Sequence, residues 1–293
     1  MAQKVDTTEL QCSRLFSVEG WVCLITGGGT GIGLMCAQAL AANDQGAKVY
    51  ITGRRMNVLE NAASSHSPSS GPERIIPIGP CDVTSKADLE KLNKELAAQE
   101  SGLHLLVCNA GISGPKAETS ASDATELRDE LWSKKDPEAW SAVFNTNVSS
   151  VYFTALTFLP LLQAVARGGD GKEMHQTSSI IVISSMSGIM RHVQGHFSYN
   201  AAKGATFEKT GVRVNSIAPG YFASEMTTGE SDDKQKSQLH EDEVQSKPHP
   251  VPAARAGSNE EMAQTCLFLA KNRYVNGEVI AVDGGVLNQV AGR

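Results

Sequence analysis

The sequence predicts an α/β fold with a single doubly wound parallel sheet. Helical segments separate most of seven apolar runs of strand length, which begin near residues 21, 47, 75, 103, 179, 212 and 278. Strands that alternate with helices specify a parallel sheet covered by helices on both faces. No linker or change in composition divides the chain, so we expect one domain over residues 18–293, preceded by an N-terminal extension, residues 1–17.

The composition is that of a soluble globular protein, because the 293 residues are 41% hydrophobic and 20% charged. The formal net charge of −6 argues against a nucleic-acid partner. Residues 1–17 are polar and no apolar run approaches about 18 residues, so we expect neither a signal peptide nor a membrane partner. The six cysteines lack paired or metal-ligand spacing, which favours reduced thiols in a cytoplasmic protein without a metal site.

The first strand, residues 21–26, leads into a glycine-rich turn and then a helix. Five of the seven residues 27–33 are glycine. A strand, a glycine turn and a helix form the Rossmann-like phosphate loop, in which a pyrophosphate lies at the helix N-terminus. A merely flexible turn is the alternative. The candidate cofactor contacts of this loop are Thr26, Gly27, Gly29, Thr30, Gly31, Ile32 and Gly33.

The second strand, residues 47–52, indicates which dinucleotide is bound. NAD-specific proteins usually carry an acidic residue at its end, where it binds the ribose 2′-hydroxyl. Here the strand ends at Gly53 and is followed by Arg54 and Arg55. A guanidinium suits a 2′-phosphate, so we expect NADP(H) as cofactor with Arg54 as its contact. The alternative is that both arginines are solvated and simply open a helix.

Tyr199 and Lys203 form a candidate acid–base pair. Four residues apart on a helix, the two side chains lie on one face. An ammonium beside a phenol favours the phenolate, which makes the tyrosine a better proton donor and acceptor near neutral pH. The pair alone is a weak signal, because this spacing is common by chance.

Further motifs occur in order along the chain. They are Cys81-Asp82-Val83, Asn109-Ala110-Gly111 after a fourth strand, Asn147-Val148, Ser184-Ser185 at the end of a fifth strand, residues 212–220 ending in Pro219-Gly220, and residues 277–285. With the glycine loop and the Tyr–Lys pair, they resemble the short-chain dehydrogenase/reductase family from about residue 18 to the C-terminus. Within it the chain is most similar to 3-oxoacyl-thioester reductases, including the type assigned to rhamnolipid synthesis.

The resemblance implies a catalytic set of four residues. Tyr199 gives a proton to the carbonyl oxygen, and Ser185 hydrogen-bonds that oxygen. Lys203 lowers the tyrosine pKa and binds the nicotinamide ribose, and Asn147 helps to hold a proton-relaying water. Ser184 and Asn145 are neighbouring alternatives, but Ser185 has Gly188 at the family's offset and only Asn147 is followed by valine. A serine hydrolase using His192 or His196 lacks the required nucleophile elbow.

The resemblance also implies the remaining cofactor contacts. One group comprises an Asp and the next amide, which meet the adenine, with the Asn-Ala-Gly turn after the fourth strand, and the other holds the nicotinamide carboxamide after the sixth strand. An ordinary turn is the alternative for the second group. Together with Tyr199 and Lys203, the candidates are Asp82, Val83, Asn109, Ala110, Gly111, Pro219, Gly220, Phe222 and Ser224.

Two long polar stretches flank the predicted site. Residues 221–252 are rich in acidic side chains and are expected to form a mobile lid over the substrate, with a solvated variable insertion as the alternative. Residues 114–136 are longer than is usual in the family and are expected to border the site.

The chain departs from the family after Lys203. Only eight residues, 204–211, separate it from the next strand, where relatives have about ten more, or about 15 Å of helix. This helix normally carries part of the subunit interface. We therefore expect a homo-oligomer that is weakened by the short segment.

The leading hypothesis is an NADPH-dependent oxidoreductase that reduces a 3-oxoacyl thioester or a similar ketone to a secondary alcohol. One alternative is the same chemistry on a sugar, a polyol or a secondary-metabolite ketone. Another is an NADP-binding protein with weak or no turnover, because its catalytic helix is truncated.

Overall fold

The computed structural model describes residues 7–43, 46–69, 71–115, 123–134, 136–167, 178–189, 212–246, 249 and 251–290. Seven parallel strands form one sheet in the order β3-β2-β1-β4-β5-β6-β7. The strands are β1 Val22–Thr26, β2 Lys48–Thr52, β3 Ile75–Pro77, β4 Leu105–Cys108, β5 Ser179–Ile183, β6 Arg213–Pro219 and β7 Val279–Val282. All seven predicted strands are present, which confirms the predicted fold class.

The strand order reverses direction between β1 and β4. In open parallel sheets, ligands bind at such a switch point, in the crevice beyond the carboxyl ends of the strands. The residues that follow β1, β2, β4, β5 and β6 lie at this edge of the sheet.

The helices of the described residues cover both faces of the sheet. They are α1 Cys12–Leu15, α2 Gly31–Ala41, α3 Met56–His66, α4 Lys86–Ala97, α5 Ala124–Lys134, α6 Pro137–Phe144, α7 Ser150–Arg167, α8 Glu225–Thr228, α9 Glu241–Gln245, α10 Asn259–Lys271 and α11 Val286–Gln289. A π-helical segment, Asn145–Ser149, joins α6 to α7. Helix α2 begins at Gly31, within the glycine turn.

Two apolar clusters fix the helices to the sheet. Ile25 of β1 packs on the face that is covered by α2, α3 and α10, whereas Leu24 packs on the face covered by α4 and α7. All five residues of β1 are buried, as expected for a central parallel strand with helices on both faces. The strand ends at the crevice are therefore held on a rigid core.

The buried Arg213 connects the start of β6 to the C-terminus of α10. Its Nη1 donates to the carbonyl oxygens of Leu269, Asn272 and Val275 at 2.9, 3.0 and 3.1 Å, and its Nη2 donates to that of Ala270 at 2.7 Å. The last carbonyls of a helix carry partial negative charge. The guanidinium is therefore stabilised by backbone groups, although burial lowers its pKa.

One continuous helical stretch, Pro137–Ala166, has the length and apolar composition that could cross a membrane. We had expected no apolar run of that length. The core helix of a soluble protein meets the same criteria, and here Phe158 and Leu162 are fully buried against the sheet. Of its most apolar 18-residue window, 33% is buried, so packing on the sheet accounts for part of this apolar character.

Candidate functional site

Thr26 joins the ends of β1 and β4 at the switch point. Its buried hydroxyl oxygen accepts hydrogen bonds from the amides of Asn109 and Ala110 at 3.0 and 3.1 Å. The Asn109 side-chain amide in turn donates to the carbonyl oxygens of Thr26 and Gly27, both at 3.0 Å. These four hydrogen bonds place the glycine turn directly beside the Asn-Ala-Gly turn.

The glycine turn leaves no room for side chains. A Cβ added at Gly33 would lie 2.3 Å from the Gly27 oxygen and 2.5 Å from Asn109 Nδ2, and one added at Gly28 would lie 2.6 Å from Ile51 Cγ2. Gly27 and Gly31 also have positive φ values of 64° and 52°, a backbone conformation that favours glycine. The close packing of strand, turn and helix therefore requires these glycines.

The N-terminus of α2 opens at this turn. Thr30 is the N-cap residue but its side chain makes no capping hydrogen bond. The first amides of a helix lack intrahelical partners and together attract an anion. A pyrophosphate fits this position, since backbone donors are available and the glycines allow it to approach closely.

Asp82 and the arginines after β2 form the adjacent part of the crevice. The Thr84 hydroxyl and amide donate to Asp82 Oδ1 at 2.7 and 2.9 Å. These hydrogen bonds, with a smaller contribution from the nearby charge of Arg54, lower the pKa of the Asp82 carboxyl. The amide of Val83 has no hydrogen-bond partner among the described residues. A charged carboxylate and a free amide thus adjoin the exposed Arg54.

Arg55 differs from Arg54 in having a partner from a distant part of the chain. Its Nη2 donates to Glu225 Oε2 at 2.6 Å, and the two residues are 170 positions apart. The side chains are 57% and 30% exposed, so the ion pair lies at the surface. Sequence analysis missed this pair, because it treated Glu225 only as one of several acids in a polar stretch.

Asn147 lies in the π-helical segment and is buried. Its Nδ2 donates to the Ile112 carbonyl oxygen at 2.8 Å, and its Oδ1 accepts from the Ile112 amide at 2.9 Å. The side chain therefore fixes the loop after β4 to the helix. Single π turns inside α-helices are frequent at functional sites. Asn145, the alternative, is exposed.

Ser185 follows β5 by two residues and begins a short 3-10 helix, Met186–Gly188. Its Oγ accepts a hydrogen bond from the Ser187 amide at 3.1 Å. This contact fixes the oxygen and leaves the hydroxyl proton to be donated elsewhere. Ser184, the neighbouring alternative, donates its amide to the Ile217 oxygen at 2.8 Å as the sheet ladder continues.

The turn after β6 is tightly constrained. A Cβ added at Gly220 would lie 2.6 Å from the Asp283 Cα. The Phe222 side chain is buried, and the Phe222 carbonyl oxygen accepts from Thr227 Oγ1 at 2.8 Å. The Ser224 amide also donates to Thr227 Oγ1, at 3.0 Å. Thr227, which sequence analysis did not single out, therefore organises this turn through its hydroxyl.

The stretch 221–252 packs in two places. Residues 224–237, which we call the strap, contact α2 and α3. Further along, Val244 of α9 is fully buried with Met186, Val286 and Leu287. Met186 follows Ser185 directly, so α9 lies beside the end of β5 while the strap lies beside the start of α2. Residues 114–136 contain α5.

Several predicted residues lie outside the described residues. They are Tyr199 and Lys203, the histidines His192 and His196, and the short segment 204–211. Asn147 and Ser185 are described, and so are all the other predicted cofactor contacts. Ser185 and these cofactor contacts follow the carboxyl ends of six neighbouring strands, β3, β2, β1, β4, β5 and β6, whereas Asn147 lies in the helical segment between β4 and β5.

Comparison with known proteins identifies the family. A family model described as enoyl-(acyl carrier protein) reductase matches residues 27–287. The chain is 38% identical to the short-chain dehydrogenase/reductase PhomF of Diaporthe leptostromiformis over 296 residues, which cover 96% of each protein. The chain belongs to the short-chain dehydrogenase/reductase family. The resemblance seen in the sequence is thereby confirmed.

Other relatives agree with this assignment. The chain is 30% identical to the 3-oxoacyl-[acyl-carrier-protein] reductase FabG of Escherichia coli (strain K12), covering 92% of this chain and 98% of FabG. Its structure matches that of Pseudomonas aeruginosa RhlG in an NADP active-site complex with a TM-score of 0.69 and 28% identity, covering 93% and 98% of the chains. This protein is accordingly an oxidoreductase of a family that binds a nicotinamide cofactor and acts on small molecules.

Proposed function

We propose that this protein is an NADPH-dependent reductase that converts a ketone to a secondary alcohol. The observation that carries the cofactor assignment is the end of β2, where Gly53 replaces an acidic residue and the exposed Arg54 follows. The 2′-phosphate of NADP is a dianion near neutral pH, so a guanidinium favours it over the neutral 2′-hydroxyl of NAD. The similar structure of RhlG, which is named as a complex with NADP, supports the same choice.

The described residues suit much of the dinucleotide, and two further contacts, Tyr199 and Lys203, lie outside the described residues. The amides at the start of α2 are assigned to the pyrophosphate, and Asp82 with the free Val83 amide is assigned to the adenine. The assignments for the rest of the cofactor are Asn109-Ala110-Gly111, the turn from Pro219 to Ser224, and the pair Tyr199 and Lys203. Phe222 serves through its backbone, because its side chain is buried in the core.

When bound, NADPH supplies the hydride. Ser185 Oγ accepts a hydrogen bond from the Ser187 amide, so its hydroxyl proton is free to be donated in a hydrogen bond to the substrate carbonyl oxygen. Tyr199 then gives its proton to that oxygen, while Lys203 favours the phenolate that results. Asn147 holds the loop after β4 through Ile112, which positions that loop for the cofactor and the substrate.

A 3-oxoacyl thioester or a ketone of similar kind is the substrate that we propose. The support is the similarity to FabG, which is named a 3-oxoacyl-[acyl-carrier-protein] reductase. The same residues also suit a sugar, polyol or secondary-metabolite ketone, because they touch only the carbonyl group.

We also propose that the protein forms a homo-oligomer through the helix that carries Asn147. Large apolar side chains on this helix are partly exposed, with Phe144 at 38%, Tyr152 at 42% and Leu156 at 46%. Exposed apolar patches commonly mark protein interfaces. The short segment after Lys203 is expected to weaken this association.

The experiment that tests the function is an NADPH-oxidation screen across carbonyl classes, followed at 340 nm. It includes 3-oxoacyl thioesters, sugar ketones and aromatic or polyketide-like ketones, each with wild type and Tyr199→Phe. Turnover of one class by the wild type only would identify the substrate class. Tight NADPH binding without turnover of any ketone would instead support the weakly active cofactor-binding protein.

A further inference from the structure

The strap begins where two parts of the proposed cofactor site meet. Ser224 lies against the first residue of α2, since a Cβ at Gly31 would be 2.8 Å from the Ser224 Cβ. The next residue, Glu225, forms the ion pair with Arg55. Gly31 belongs to the proposed pyrophosphate loop, and Arg55 follows the proposed 2′-phosphate contact, Arg54. The strap therefore touches both parts within two consecutive residues.

Beyond Glu225, three hydrogen bonds fix the strap to α2 and α3. Asn61 Nδ2 donates to the Asp233 carbonyl oxygen at 2.7 Å, and Lys236 Nζ donates to Gln38 Oε1 at 2.6 Å. His66 Nε2 lies 2.5 Å from the carbonyl oxygen of Lys234. The strap is thus held along α2 and α3, the helices that follow the glycine turn and β2, and the expected mobile lid over the substrate stays a prediction.

The strap also has its own compact structure. The Asp232 carboxylate accepts from the amides of Lys234 and Lys236 at 2.9 and 2.8 Å. The Ser237 hydroxyl donates to the Glu230 carbonyl oxygen at 2.8 Å. The Ser231 hydroxyl donates to Glu225 Oε1 at 3.4 Å, so displacing Glu225 also removes its link to this bonded segment.

Among the residues that the structure describes, Arg55 has one carboxylate partner, and some of its donors make no hydrogen bond there. A guanidinium carries five N–H groups, of which Nη2 donates to Glu225. A phosphate can accept hydrogen bonds from two parallel guanidinium N–H groups, whereas Glu225 makes a single contact. A phosphate dianion also carries more negative charge than a carboxylate. A carboxylate that remains on Arg55 repels a phosphate bound beside it. Glu225 and a 2′-phosphate therefore compete for the same cation.

We propose that Glu225 is a cofactor-discriminating residue that occupies Arg55 until the 2′-phosphate of NADPH displaces it and loosens the strap. NADH lacks that phosphate and leaves the ion pair intact. The inference rests on the proposed function, because it requires the dinucleotide in the crevice after β1 and β2. It adds that the two cofactors leave the strap in different states.

The first test is the affinity of Glu225→Gln for each cofactor, measured by calorimetry on the full chain. We expect NADPH to bind about two- to five-fold more tightly than to wild type, the range spanned by a surface ion pair, while NADH affinity stays unchanged. Glu230→Gln is the matched control, since it removes the same charge from the exposed Glu230 of the same strap. If Glu225 instead oriented Arg55 for the phosphate, Glu225→Gln would bind NADPH more weakly, and that result would overturn the proposal.

The second test reads the strap without using affinity or activity. Trypsin cuts after Lys234 and Lys236, and the cleavage rate follows the population of the open strap when closing is fast. Saturating NADPH is expected to speed cleavage at these two lysines relative to saturating NADH. Glu225→Gln is expected to be cut faster than wild type with no cofactor present. Equal cleavage rates with the two cofactors would refute the displacement.

Failure of the proposed cofactor can be told apart from failure of this inference. A wild-type protein that binds NADH as tightly as NADPH contradicts the NADP assignment before any variant is made. A wild type that prefers NADPH, together with a Glu225→Gln protein of unchanged NADPH affinity, contradicts only the role of Glu225.

Discussion

Replacing Thr26 by valine tests the junction between the glycine turn and the Asn-Ala-Gly turn. Valine keeps the shape of threonine but removes the hydroxyl, and two partly buried amides, those of Asn109 and Ala110, then lose the acceptor that they now reach at 3.0 and 3.1 Å. Each unsatisfied buried donor costs about 1–3 kcal/mol. Because both amides are only partly buried, we expect the lower end of this range for each, or a loss of about 2 kcal/mol in the free energy of unfolding for the two together.

Thr26→Ser is the matched control, because serine keeps the hydroxyl and loses only one methyl group, worth about 1 kcal/mol. The assay is urea unfolding at a single protein concentration, followed by circular dichroism, with NADPH affinity measured on the same samples. We expect the valine variant to unfold at clearly lower urea than the serine variant and to bind NADPH more weakly. Equal unfolding midpoints would show that the Thr26 hydroxyl does not hold the two turns together.

Four further predictions concern the cofactor, the acid, pH and the short segment. Arg54→Ala should weaken NADPH binding by about 1–3 kcal/mol and leave NADH nearly unchanged in calorimetry; equal losses would refute the phosphate contact. Tyr199→Phe should abolish turnover and keep NADPH affinity, and near wild-type turnover would exclude Tyr199 as the acid. Hydrogen bonds from Arg255 and from the backbone lower the pKa of Glu261 from 4.5 to about 2, so its contribution to stability is present above pH 4.5 and is lost as pH falls towards 2. This pair is partly exposed, so the stability gap between wild type and Glu261→Gln in urea unfolding should shrink by about 1 kcal/mol or less between pH 7 and pH 3; a constant gap would contradict the assignment. Inserting about ten amphipathic residues, or about 15 Å of helix, within 204–211 should raise Tm, turnover and self-association together, whereas a tight wild-type tetramer by light scattering would show that the short segment is harmless.

The sequence predicted the strands and the glycine loop because both are local patterns. A strand buried on both faces is a short apolar run, and a phosphate loop is a set of glycines at fixed spacing between a strand and a helix. The clash that requires glycine is also local in sequence, since a Cβ added at Gly33 would lie 2.3 Å from the Gly27 oxygen. Such features need no knowledge of distant parts of the chain.

The helix boundaries around Asn147 were less predictable. Its sequence resembles ordinary helix, yet residues 145–149 form a π turn. Within this turn the Asn147 side chain pairs with both backbone groups of Ile112, which is 35 residues away. Local helix propensity contains no information about such a distant partner. The contact between Asn147 and the loop after β4 could therefore be seen only in the tertiary structure.

Contacts between distant residues were decided by the tertiary structure alone. The sequence placed Arg55 beside the cofactor and Glu225 in a polar stretch, but it could not join residues that are 170 positions apart. It likewise gave no sign that the Arg213 guanidinium lies among the last carbonyls of α10. Strand and loop patterns depend on neighbours along the chain, whereas these pairs depend on which surfaces the packed sheet and helices bring within a few ångströms of each other.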